Sequence, residues 1–356
     1  MADWRSQAEI VGDVVYFGYV QAQEQKRTAE VYVWDLDKTY LDTSWGSIKE
    51  LYKTAIEKAF QKKNVPGTAT LVRALTSRST EKAFPIFFIT ASPPQMEYKI
   101  REKLRLDGIF PFGSFYKDNL KNLRPNRIRR LTQQVGYKTQ ALMQLRMKLA
   151  EDVKLVLWGD DSESDAVIYS LFSDICARRM SDRQLSDMLK ALHVTGEQAK
   201  LILELQKQVP DQDPVDKIYI NLAVDTDPEY YIKFGRRIVP TENSFQAALD
   251  LFQDGRLRPE QVVKIAQDLV MNYDFSPEEL ERSFDGLIRR RILAKKAVEE
   301  IMPFLTNQRF ISAAYVPTVS PAEISFAKRP AFPEEEQEHS LDPWVPEHID
   351  YLNDYR

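Results

Sequence analysis

The sequence predicts an α/β fold, a doubly wound parallel sheet with helices on both faces. Apolar runs of strand length alternate with segments whose apolar residues recur at three- and four-residue steps. Three of those runs also end in hydroxyl or carboxylate clusters. Asp35 and Asp37 follow Val31 to Trp34, Thr90-Ala91-Ser92 follows Ile86 to Ile89, and Gly159-Asp160-Asp161 follows Val153 to Trp158. In a doubly wound sheet such carboxyl ends share one edge, where ligands bind.

Taken in order, Val14 to Val20 reads as an edge strand or hairpin ahead of the core. Val31 to Asp35 is the first core strand. Ile48, Leu51, Ala55, Ile56 and Ala59 then mark an amphipathic helix, and Pro66-Gly67 breaks the chain before a shorter helix around Leu71 to Leu75. The strand Phe84 to Ile89 is followed by a helix with Met96, Ile100 and Leu104 inward and Gly108 as its stop. Phe110 to Phe115 reads as a short strand and Lys117 to Arg130 as a basic loop. Gly136 to Thr139 leads into a helix bearing Leu142 and Leu145. The strand Val153 to Trp158 precedes a helix with Val167 and Leu171, and Thr195-Gly196 separates two helical pieces of an insertion at about 180–209. Lys217 to Leu222 is the last strand expected, before a helix through Ala247 and Leu251. From about 258 the alternation ends and three helical stretches follow, the middle one capped by Ser276-Pro277-Glu278-Glu279. The expected division is a strand or hairpin extension at 1–30, a sheet domain at 31–257, a helical region at 258–307, and a tail at 308–356, disordered or draped over the surface.

Composition excludes several classes of function. The 49 basic and 53 acidic side chains nearly balance, at a net charge of −4, so no global basic field suggests nucleic acid. One cysteine, Cys176, rules out disulfides and Cys-rich metal sites and fits a reducing, cytoplasmic setting. No apolar run approaches the roughly 20 residues of a membrane-spanning helix. The three histidines are scattered, which disfavours Ser-His-Asp triads and multi-His metal sites. Chemistry is left to carboxylates, hydroxyls and a lysine.

In a strand, residues two apart share a face. Asp35 and Asp37 can therefore point into one small space, where they repel each other unless a cation or proton lies between them. Adding Asp160, Asp161 and Asp165 makes an all-oxygen acidic cluster, which suits a hard cation such as Mg²⁺. Thr90 can donate to a phosphoryl oxygen and Lys138 can neutralise another. Asp35 then qualifies as nucleophile and Asp37 as general acid and base, through an aspartyl-phosphate.

Asp35-Leu36-Asp37-Lys38-Thr39 resembles the first motif of the haloacid dehalogenase (HAD) superfamily, DxDx(T/V). Thr90 resembles its second motif, Lys138 its third and Gly159-Asp160-Asp161…Asp165 its acidic fourth. The resemblance covers roughly residues 31–255 and implies a HAD-like Rossmannoid catalytic domain with a C-terminal helical extension. Thr90-Ala91-Ser92-Pro93-Pro94, Asp160 with Asp165, and Phe234-Gly235 before Val239-Pro240…Asn243-Ser244 are similar to the actin-patch phosphatidate phosphatase-like branch.

The resemblance implies a Mg²⁺-dependent phosphatase acting on a phosphomonoester. Asp35 and Asp37 are the catalytic pair and Thr90, Ala91 and Lys138 the phosphate-binding residues. Asp35, Asp37, Asp160 and Asp165 form the metal set, with Asp161 as the alternative to Asp160. The substrate class stays open among small molecule, lipid and phosphoprotein. A rival reading keeps the fold for binding or regulation, with the helices and tail contacting a partner. The basic stretch from Lys121 to Arg130 reads as a solvated loop before a substrate grip. Arg289-Arg290-Arg291 reads as the wet face of a helix before a binding patch, and Trp344, Tyr351 and Tyr355 as a weak candidate for a docking segment.

Overall fold

The structure, a computed structural model, describes residues 4–19, 29–42, 63–76, 85–118, 134–162, 164–329 and 342–354. The expected helix at 48–60 and the basic stretch from Lys121 to Arg130 lie outside them, as does Tyr355.

In chain order the strands are β1 (Glu9–Val11), β2 (Val14–Gly18), β3 (Glu30–Asp35), β4 (Ile86–Thr90), β5 (Gly113–Lys117), β6 (Lys154–Asp160), β7 (Val215–Asn221) and β8 (Ile238–Thr241). The first helices are α1 (Thr68–Thr76), α2 (Glu97–Leu106), α3 (Val135–Lys148), α4 (Asp165–Cys176), α5 (Asp182–Ala191) and α6 (Gly196–Gln206). They continue as α7 (Ser244–Gln253), α8 (Pro259–Tyr273), α9 (Pro277–Arg289), α10 (Lys295–Asn307) and α11 (Tyr351–Asp354). The predicted α/β class is the observed one.

The chain forms two compact units, 1–63 with 84–216 and 350–356, and 64–83 with 217–349. In the first unit the strand order is β1-β2-β5-β4-β3-β6. β3, β4, β5 and β6 run parallel, and the β1–β2 hairpin is antiparallel to β5. β3 lies between β4 and β6, and its residues have no polar face to show. Val31, Tyr32, Val33 and Trp34 are all buried, the near-continuous apolar pattern of a strand covered on both sides. Trp34 on β3 stacks on its register partner Trp158 on β6, at 4.5 Å between centroids and 7° between planes.

The insertion at about 180–209 is the helical hairpin α5–α6, and each helix opens with a capping box, Ser181 with Gln184 and Thr195 with Gln198. α6 packs on α3. His193 lies between the two helices with φ at 59°. The expected strand at Phe110 to Phe115 starts later and runs on to Lys117.

In the second unit β7 and β8 pair in parallel and lead into α7. β8 escaped notice in the sequence because Pro240 interrupts a run of only four residues. The unit boundary at 216/217 falls inside the expected 31–257 domain. Lys217 is fully buried between Asp250 (2.8 Å) and Asp254 (2.5 Å). α1 is tied to α8 through Thr70 Oγ1 to Asp268 at 2.5 Å and Gln261 Nε2 to the Ala74 carbonyl at 2.7 Å. The described parts of the 308–356 tail are draped and bonded. Thr318 donates to Asp285, and the Arg237 amide donates to the Trp344 carbonyl. Trp344 and Tyr351 are buried against their own chain rather than offered for docking.

Candidate active site

The site lies at the carboxyl ends of β3, β4 and β6 in the first unit. Parallel pairing puts Trp34 beside both Phe88 and Trp158, so the next residues of each strand emerge along one edge. Asp35, Thr90 and Asp160 are those ends. After β3 the chain turns tightly. Leu41 N–H donates to the Leu36 carbonyl at 2.8 Å and Lys38 N–H to the Leu41 carbonyl at 2.8 Å. Lys38 takes a left-handed φ of 59° within that turn. The turn brings Asp37 toward β4.

Asp35, Asp160 and Asp165 are buried and offer carboxylate oxygens that all lie within 4.8 Å of one another. Asp165 begins α4, and its Oδ2 accepts from the Asp160 amide at 3.1 Å. Its approach depends on Gly159, where a Cβ would collide with the Asp165 side chain. Lys138, in the first turn of α3 and fully buried, sits 2.9 Å from Asp35 Oδ1 and 2.5 Å from Asp165 Oδ1. Asp160 Oδ1 accepts from the Ser162 amide at 2.6 Å, and Lys38 Nζ donates to Ser162 Oγ at 3.0 Å. Asp161 is half-buried and stands outside the triad.

Asp37, expected among the metal ligands, stands outside that group of three, and its Oδ2 accepts from Thr90 Oγ1 at 2.8 Å. Thr90 Oγ1 accepts in turn from the Ser92 amide at 3.0 Å. Ala91, between them, is half-buried. Tyr137 donates to the Thr90 carbonyl at 2.7 Å. Burial first, and then the Asp35 charge, hold its phenol well above the usual tyrosine range, so it remains a donor.

One residue escaped the sequence reading. Lys117 ends β5, next to β4, and is buried, with its Nζ 5.9 Å from the Tyr137 ring centre. Its amide donates to the Ser92 carbonyl at 3.2 Å. A lysine closing a run of Phe and Tyr was the available signal, and the basic residues beyond it masked the strand's end.

The donor set fits a divalent cation. Three buried carboxylates and one ammonium, taken alone, carry a formal charge of −2 (1 − 3), which a divalent cation would neutralise. All the donors are oxygen, with no Cys or His, which selects hard cations over zinc or copper.

Residues 31–182 match the family model described as the phosphatidate phosphatase APP1 catalytic domain, a HAD-like phosphatase family. That span contains every residue just named, and the recognition made from the motifs is borne out there. No curated protein and no solved structure matches the chain. No helix among the described residues is long and apolar enough to cross a membrane.

Proposed function

We propose that the segment matching this phosphatase family hydrolyses a phosphomonoester with Mg²⁺ through an aspartyl-phosphate on Asp35. The carrying observation is the buried group of Asp35, Asp160 and Asp165 around Lys138. Asp35, Asp160 and Asp165 would hold the cation, which supplies charge neutralisation between the phosphoryl group and the acids that surround it.

The chain's own residues run the steps. Lys138 offsets negative charge on the phosphoryl oxygens, and Ala91, just after β4, lines the phosphate side. Asp35 attacks phosphorus, forming an acyl phosphate as the ester P–O bond breaks. Asp37 gives its proton to the departing alkoxide. It then takes one from the water that attacks the aspartyl-phosphate, which restores Asp35 and frees inorganic phosphate. Thr90 has one hydroxyl proton and two claims on it, the Asp37 carboxylate and an incoming phosphoryl oxygen.

The family's description directs the substrate reading to phosphatidate, a lipid phosphomonoester. With no membrane-crossing helix among the described residues, such a substrate would be met at a membrane surface. The free, buried Cys176 accords with a cytoplasmic setting.

The test is phosphate release from phosphatidate vesicles and from an aryl phosphate, with Mg²⁺ or with EDTA, for the parent chain and Asp35→Asn. Metal-dependent release abolished by Asp35→Asn is expected. Absent release would overturn the reading in favour of a binding role, and EDTA-insensitive release would overturn the metal dependence. Release from aryl phosphate alone would keep the chemistry and reject the lipid.

A further inference from the structure

A cavity of about 340 Å³ opens within the second unit, outside the residues that match the phosphatase family. Its volume is at the lower end for small-molecule sites. Four arginines line it: Arg236, which follows the 3₁₀ turn Pro228–Phe234, and Arg289, Arg290 and Arg291 at the end of α9. Two of them bring their own counter-ions. Arg236 Nη2 meets Asp342 at 2.5 Å, and the exposed Arg289 lies 3.4 Å from Asp285.

Arg290 is held differently. Its guanidinium donates to the Pro240 carbonyl at 2.7 Å, to Gln246 Oε1 at 3.2 Å and to the Gly286 carbonyl at 3.2 Å. All three acceptors are neutral. Among the described residues neither Arg290 nor Arg291 has an ion-pair partner. Burial pushes Arg290 down to about 10, with Arg289 adding to that and Glu242 and Glu229 opposing it. Charge desolvated among dipoles is unfavourable, and an anion in the adjoining cavity would relieve it. A second sign agrees, because Arg236 Nε is buried with no hydrogen-bond partner among the described residues. Arg236 and Arg291 both lie over the Phe326 ring, at 5.2 Å and 5.3 Å, which holds two guanidinium planes in place before any ligand arrives.

We propose that this cavity is a second, non-catalytic site that binds a phosphate group, through Arg236, Arg290 and Arg291. Planar guanidinium forks match phosphate oxygens better than point charges do. The phosphate is carried either by a small soluble phosphomonoester or by a lipid headgroup. The assignment stands independently of the catalytic reading, since no residue of the first unit contributes to it.

Calorimetric titration with inorganic phosphate, at constant ionic strength, tests it on the full chain, Arg290→Gln and Arg291→Gln. Each variant is expected to bind one phosphate fewer per chain than the parent, or to bind that phosphate at least tenfold more weakly. This holds whether or not the first unit binds phosphate, so failure of the catalytic reading leaves the test intact. Arg291 is exposed, so its variant serves if loss of the half-buried Arg290 prevents folding. Equal stoichiometry and affinity in parent and variants would overturn the proposal. Glycerol phosphate and phosphatidate vesicles, with phosphatidylcholine vesicles as control, then separate the sources. Arg291-dependent vesicle sedimentation identifies a headgroup, and Arg291-dependent glycerol phosphate binding without sedimentation identifies a soluble ligand.

Discussion

Thr90 and Asp37 are joined by a 2.8 Å hydrogen bond in which the threonine hydroxyl donates to the carboxylate. They are 53 residues apart in the chain and meet because β3 and β4 are parallel neighbours. The bond gives Asp37 a fixed direction.

Thr90→Val should therefore lower kcat by about ten- to a hundredfold, since a hydrogen bond to a charged group contributes about 1.5–3 kcal/mol. An aryl phosphate assay reads it. Unchanged kcat would separate Thr90 from the chemistry.

Metal removal should be visible in stability as well as rate. A cation at one hundred times its Kd adds about 2.7 kcal/mol to the folded state. Thermal melts should rise with Mg²⁺ and fall back with EDTA. Asp160→Asn and Asp165→Asn should respond far less, having lost part of the triad within 4.8 Å. A melt indifferent to Mg²⁺ in the parent chain would count against the cation.

Gly159→Ala puts a methyl where the Asp165 side chain now lies. Overpacking of this kind costs about 1–3 kcal/mol. It should displace Asp165 from Lys138 and reduce turnover more than a hundredfold. Circular dichroism melts paired with turnover distinguish a lost site from a lost fold.

Cys176 supplies a pH dependence with a definite sign. Burial, with Asp213 contributing, pushes its thiol from the ordinary 9.0 up to about 12. The folded pKa exceeds the unfolded one. Its contribution is thus complete below pH 9 and is lost as pH rises from 9 toward 12, by about 4 kcal/mol in all. Urea titrations at pH 8 and 10.5 should show a steeper loss for the parent than for Cys176→Ala. At pH 8 the folded chain should resist thiol alkylation.

Much of the site was legible because its signals are local. Val31 to Trp34 running into Asp35, Ile86 to Ile89 into Thr90, and Leu155 to Trp158 into Gly159-Asp160 each pair a buried strand with a polar end. The motif spacing added Lys138 and Asp165, and the structure brings both to Asp35. Lys117 was not legible, since a strand's last residue and a basic loop's first look alike in sequence. Arg289 to Arg291 read as a wet helix face, yet Arg290 turns inward to the Pro240 carbonyl.

The amino-acid sequence determined by itself the alternation of strands and helices, the shared edge, and the kind of atoms collected there. Side-chain period and capping residues act over a few positions and need no partner to be read. Tertiary structure alone decided which oxygen faces which proton. It turned Asp37 to Thr90, set Asp165 against Gly159 and Lys138, and carried α1 and Lys217 into the second unit. Those contacts join residues far apart in the chain, and their energies depend on the burial that only the assembled fold creates.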